Sequence, residues 1–104
     1  MAKHETLEET FTRELLGQLK KAEEATGISE TRLALQAQER GGVAAVKQLL
    51  ARGQTTRQFE PLQRAGMLKL SMEAVVTRGK FASLFTDDEV NQCLTDLLSG
   101  GLYG

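Results

Sequence analysis

The chain is short of the residues that most often carry catalytic or metal chemistry. Among its 104 residues there is one histidine, one cysteine and no tryptophan. A single cysteine excludes an internal disulfide and any multi-cysteine metal site, and it favours a reducing, cytoplasmic setting. The one histidine, His4, excludes a histidine-rich zinc site, and its place near the N-terminus reads most simply as a solvated end. Pro61 is the only proline, so little stands against helix formation. Aromatic residues make up 5%, too few for a base-stacking platform. Apolar runs stay as short as Val43-Ala44-Ala45-Val46, far below the roughly 20 residues of a membrane span. Residues 1–10 carry no apolar run, so no secretory leader is expected.

What is present points to helices. Leu, Ala, Glu, Gln, Lys and Arg dominate, and these are good helix formers. The length suits one domain, residues 1–104, with residues 1–5 and 100–104 expected as flexible ends. The expected fold is all-α, a compact bundle of about five to six short helices. The first covers about Leu7 to Thr26, opened by Thr6 and Glu9 at capping-box spacing and closed by Gly27. Ser29 is the expected cap of a second helix running to about Arg40, and a third covers Val43 to Arg52. A fourth, around Phe59, Leu62 and Ala65, starts either after Thr55 or Thr56, or at Glu60 with Pro61 as its first favoured residue. Met67 to Leu70 reads as an extended connector, Met72 to Arg78 as a fifth helix capped by Ser71, and Phe81 to Phe85 as a tight turn. The sixth carries the strongest signal: a Thr86–Glu89 box, a Phe85–Val90 staple, and an apolar stripe through Cys93, Leu94, Leu97 and Leu98. The shared periodicity nominates a core of Phe11, Leu15, Leu19, Leu33, Val46, Leu50, Phe59, Leu62, Leu70, Val75, Leu84, Phe85, Val90, Leu94 and Leu97.

The search for chemistry finds little. Asp87, Asp88 and Glu89 are consecutive, so they point in different directions around a helix and suit its electropositive first turn better than a metal. Gly41-Gly42 and Gly100-Gly101 lack the Lys-Ser/Thr that follows a phosphate loop and read as helix stops. Cys93 lies on an apolar stripe and reads as core. No catalytic residue, metal ligand or cofactor is therefore expected.

Charge is distributed unevenly. The net charge is −1, yet residues 1–30 carry −3, residues 31–86 carry +6 and residues 87–104 carry −4. Two readings follow. Either acidic ends fold onto a basic middle, or Arg32, Arg40, Lys47, Arg52, Arg57 and Arg64 form a basic contact face for nucleic acid or an acidic protein. A helix-turn-helix built from helices two and three has suitable small residues at Ala37 and Gly41. However, Gln36 and Arg40 stand where that motif wants apolar residues, and the second helix offers few base-reading side chains.

Residues 26–98 carry a recognisable series. It runs from Thr26-Gly27-Ile28-Ser29-Glu30-Thr31-Arg32 through Gly41-Gly42-Val43 and Lys47-Gln48-Leu49-Leu50 to Phe59-Glu60-Pro61-Leu62. It continues with Leu68-Lys69-Leu70-Ser71-Met72-Glu73-Ala74-Val75-Val76 and Phe81-Ala82-Ser83-Leu84-Phe85-Thr86-Asp87-Asp88-Glu89. This series resembles a small, uncharacterised bacterial all-helical domain that is found alone or beside restriction-type nuclease domains. Leu33 and Gln38-Glu39 depart from it, since that domain has aromatic residues near those places. The resemblance implies a helical fold and a setting near nuclease systems, and it brings no catalytic residues with it.

The expected function is a non-enzymatic binding or regulatory module acting through protein–protein contacts, with another protein as partner, as monomer or homodimer. The alternative is an accessory nucleic-acid-binding domain that uses the basic segment 31–86. No membrane partner is expected.

Overall fold

A computed structural model describes residues 5–101. His4 and the tail 102–104 lie outside the described residues. The fold is all-α, with six helices among the described residues: α1 (Leu7–Thr26), α2 (Thr31–Arg40), α3 (Gly42–Ala51), α4 (Phe59–Arg64), α5 (Met72–Val76) and α6 (Asp87–Ser99). Two 3-10 segments, Leu68–Leu70 and Gly79–Leu84, link α4 to α5 and α5 to α6. No strand occurs among the described residues.

Local chemistry explains the clearest boundaries. Thr6 Oγ accepts from the Glu9 amide while the Glu9 carboxylate accepts from the Thr6 amide, so both orphan donors at the start of α1 are satisfied. Thr86 and Glu89 do the same for α6. Ser71 Oγ accepts from the Ala74 amide and opens α5. Gly27 ends α1 at φ 74°, a left-handed conformation that glycine adopts without a Cβ penalty.

Several expectations change. Ser29 does not cap α2: its hydroxyl pairs with that of Thr31, and Glu30 holds the cap position without a side-chain cap bond. The Glu30 carboxylate turns inward instead and accepts from the Gln58 amide. Helix α4 begins at Phe59, between the two expected starts, and places Pro61 third. An amide there would have no intrahelical partner, so the proline removes no bond. Helix α5 ends at Val76 rather than Arg78, where the β-branched run Val75-Val76-Thr77 meets a Thr77 hydroxyl that donates to the Ala74 carbonyl. The connector at Met67–Leu70 is a 3-10 turn rather than extended, and the region after α5 is a longer 3-10 segment rather than a single turn.

Helix α1 is the central element, with α2, α3, α4 and α5 all packed against it. Its apolar face buries Phe11, Leu15, Leu19 and Ala22. The Phe11 ring meets Phe81 and Phe85 edge-on, with centroids 5.0 and 5.1 Å apart. Each such pair adds about 0.5–1.5 kcal/mol to the burial of its rings. This cluster takes in Leu33, Val46, Leu50, Met72, Val75, Val76 and Cys93. A second cluster gathers Phe59, Leu62, Leu68 and Leu97 beneath Ala22.

Eleven of the nominated core residues are buried, but Leu70, Leu84, Val90 and Leu94 are only partly so. Leu98, placed on the α6 stripe, is 58% exposed. Helix α6 buries only Cys93 and Leu97 fully, with Val90 packed partly against the core, a narrower contact than its apolar pattern. Met72, Val76, Phe81 and Leu68 take up the remaining interior.

Neutral side chains tie distant segments together. Gln18 donates to the Lys69 carbonyl, and Gln92 to the Leu50 carbonyl. Gln58, fully buried, donates to the carbonyls of Leu19 and Ile28. Thr12 Oγ accepts from the Gly42 amide at 2.8 Å, where α3 comes close against α1.

Candidate functional site

The basic middle is partly neutralised by the acidic ends. Lys47 on α3 pairs with Glu89 on α6 at 2.7 Å and lies over the Phe85 ring. Arg78 and Lys80 both pair with Glu14 on α1. The donated bonds from Lys80 and then Arg78 hold the Glu14 carboxyl below the usual carboxylate range. Arg64 faces Glu60 one turn away on an exposed surface, a pair of little energetic weight.

The six bases expected to form one contact face have different surroundings. Lys47 is engaged with α6, Arg64 with its own helix, and Arg40 sits at the C-terminal end of α2. Arg32, Arg52 and Arg57 line a common cleft of about 170 Å³ beside the loop between α3 and α4. Gln36, Gln48 and Gln54 line it as well. Gly41 alone separates α2 from α3, a shorter link than the three- or four-residue turn of a helix-turn-helix. Helix α3 is covered by α1, α2 and α6, with Ala45, Val46 and Leu50 buried.

A second surface feature lies between α1 and α2. It is a groove of two adjoining hollows of about 460 and 330 Å³ that share Leu16 and Gln38. Leu19, Ala34 and Ala37 contribute its apolar lining, and Leu35, 50% exposed, stands on its margin. On α1 the lining residues extend from Glu9 to Glu23, about 21 Å at 1.5 Å per residue.

A buried polar cluster that periodicity did not nominate lies beneath α5. Glu73 is wholly buried, and its carboxylate accepts from the amide and hydroxyl of Thr56 at 3.0 and 3.2 Å. Burial pushes its carboxyl up to about 7, and the charge of Asp96 on α6 pushes the same way. Burial likewise pushes the Cys93 thiol up to about 12, with Glu73, Asp96 and Glu89 adding to the effect. A thiol so placed stays protonated, as expected of a packing residue. No signal local to Glu73 could have revealed this, since its partner is 17 residues away.

Among the described residues, no three His, Cys, Asp or Glu side chains stand together as a metal-ligand set. No helix among them is long and apolar enough to cross a membrane. The molecule belongs to the class of small single-domain helical proteins. No family model, no curated protein and no solved structure matches the chain.

Proposed function

We propose that this chain is a non-enzymatic module that works through contacts with another protein, in the cytoplasm. The supporting observation is the α1–α2 groove, whose length equals about four helical turns and whose lining sets Leu16, Ala34 and Leu35 among polar and charged side chains. Its occupant in this reading is an amphipathic helix of a partner protein. Ala34, Ala37 and Gly41 are small enough to let a third helix approach closely, and Leu16 and Leu35 supply contact area. Charges of both signs, Glu9, Arg13, Lys20 and Glu23, flank the groove and suit a mixed polar rim rather than a polyanion. The sequence resemblance is what supports adding a link to nuclease systems to this proposal.

The alternative is nucleic-acid binding by the basic segment. It draws on the cleft arginines, whereas the ion pairs at Lys47, Arg78 and Lys80 work against it. A photo-crosslinking residue at position 35, compared with one at position 98, tests the two readings in the native host. A protein adduct specific to position 35, unaffected by nuclease treatment and lost with Gln38→Trp, which fills the groove from an exposed position common to both hollows, is the expected result. Adducts that disappear on nuclease treatment would refute the protein reading.

A further inference from the structure

The geometry points to a site for a single phosphoryl group in the cleft lined by Arg32, Arg52 and Arg57. The three side chains come from separate parts of the fold: the first turn of α2, the end of α3 and the loop before α4. None of them is in an ion pair among the described residues, whereas Arg13, Lys47, Arg64, Arg78 and Lys80 all are. Three arginines and a single buried carboxylate around one hollow leave an excess of positive charge, and an entering anion relieves it.

The one acidic residue of the wall, Glu30, offsets that charge only in part. Glu30 is buried, and its carboxylate accepts from the Gln58 amide at 3.1 Å. Burial raises its pKa, and Arg57 acts on it only as a weaker influence. Glu30 thus anchors the loop that carries Arg57, and the cleft keeps a surplus of positive charge.

The ligand class follows from number and shape. A guanidinium donates two parallel N–H bonds to a tetrahedral oxyanion. A phosphate monoester brings nearly two negative charges and three strong acceptor oxygens, enough to engage several forks at once. A lone carboxylate would leave at least one cation unanswered. Gln36, Gln48 and Gln54 add neutral amide donors, and Leu33 and Leu49 supply an apolar wall that strengthens the field. The site is compact rather than a track. Arg40 lies about 12 Å from Arg32 along α2, and Lys47 and Arg64 are paired elsewhere. A duplex would need such a track of phosphate contacts. This inference is independent of the α1–α2 groove.

The test is an amide-resolved NMR titration of the full chain with inorganic phosphate and with O-phosphoserine, beside a short DNA duplex. Both small probes are expected to give saturable shifts centred on residues 32–36 and 52–57. Affinity should fall about tenfold or more in the R52Q/R57Q double variant, since losing charge-assisted hydrogen bonds costs at least that factor. It should change less than about twofold in R40Q/R64Q, which keeps all three cleft arginines. The R52K/R57K variant keeps the charge and loses the fork, so it should bind more weakly than the parent chain. All three exchange exposed side chains, and thermal melts check their folding. Shifts that never saturate, equal losses in the two glutamine variants, or undiminished affinity in the lysine variant would each overturn the site. So would duplex binding that is tighter than phosphate and depends equally on Arg40 and Arg64.

Discussion

Replacing Glu73 by glutamine should stabilise the protein, and only above a certain pH. The carboxylate is wholly buried, its described partners are the amide and hydroxyl of Thr56, and no described ion pair includes it. Its pKa rises from 4.5 to about 7 on folding, chiefly because burial disfavours the charged form. Between those values the folded state holds a proton that the unfolded state has released, so stability falls as pH rises. The loss is complete once pH passes the folded value. At about 1.4 kcal/mol per pH unit, the gap corresponds to about 3 kcal/mol. Glutamine has nearly the same shape, cannot ionise, and can keep both bonds: its carbonyl accepts from the Thr56 amide and its NH2 donates to the hydroxyl. Other acids, such as Glu14, whose pKa folding lowers, are common to both proteins and cancel in the difference. Urea titrations followed by far-UV circular dichroism, from about pH 5 to about pH 9, measure it directly. The expected advantage of E73Q is near zero at the acid end and about 3 kcal/mol at the alkaline end. A difference that stays within about 0.5 kcal/mol across the range, or a variant less stable at about pH 8, would refute the reasoning.

Two glycines should respond with opposite sign to alanine. Gly17 sits exposed within α1 with open space around it, so Gly17→Ala should raise stability by about 0.5–1 kcal/mol in urea titration. Gly42 is buried, and a Cβ there would lie 3.0 Å from the Thr12 Cα, so Gly42→Ala should cost about 1–3 kcal/mol by the same assay. Thr86→Ala removes the acceptor for the Glu89 amide and should cost about 1 kcal/mol, read as a lower melting temperature. Cys93, buried with its thiol pushed up to about 12, should resist iodoacetamide near pH 8 in the folded protein and react on unfolding, which mass spectrometry would show.

Local chemistry was legible in the sequence wherever partner and residue lie within one turn. The boxes at Thr6–Glu9 and Thr86–Glu89 and the cap at Ser71 stand where spacing placed them. The core of α1 was legible for the same reason, because one face of a long helix repeats its pattern enough times to be unambiguous. Ser29 failed as a cap because Glu30 has a competing partner, the Gln58 amide, 28 residues away. Leu94 and Leu98 failed as core because periodicity tells which side of α6 is apolar and not how much of that side a neighbour covers. The arginine cleft was half legible: Arg32, Arg52 and Arg57 were nominated together with Arg40, Lys47 and Arg64. Charge alone could not separate Lys47 and Arg64, which find an acid in the fold, from the rest, nor Arg40 from the three that share a cleft.

The buried glutamines Gln18 and Gln58 and the half-buried Gln92 bear on how the chain avoids alternatives to its own structure. Apolar contacts are forgiving, since a helix slid by one turn, about 5.4 Å, still meets aliphatic neighbours. A glutamine amide aimed at one carbonyl is not forgiving. Shifting α1 against its neighbours would separate Gln18 from Lys69 and Leu19 from Gln58, and shifting α6 would separate Gln92 from Leu50. Each broken tie that stayed buried would strand a donor and an acceptor, at about 1–3 kcal/mol for each group. A bundle of short helices with few aromatic anchors offers many near-equivalent ways to collapse. Three amides placed at three different seams raise the energy of those competitors and leave one helical register well below the rest.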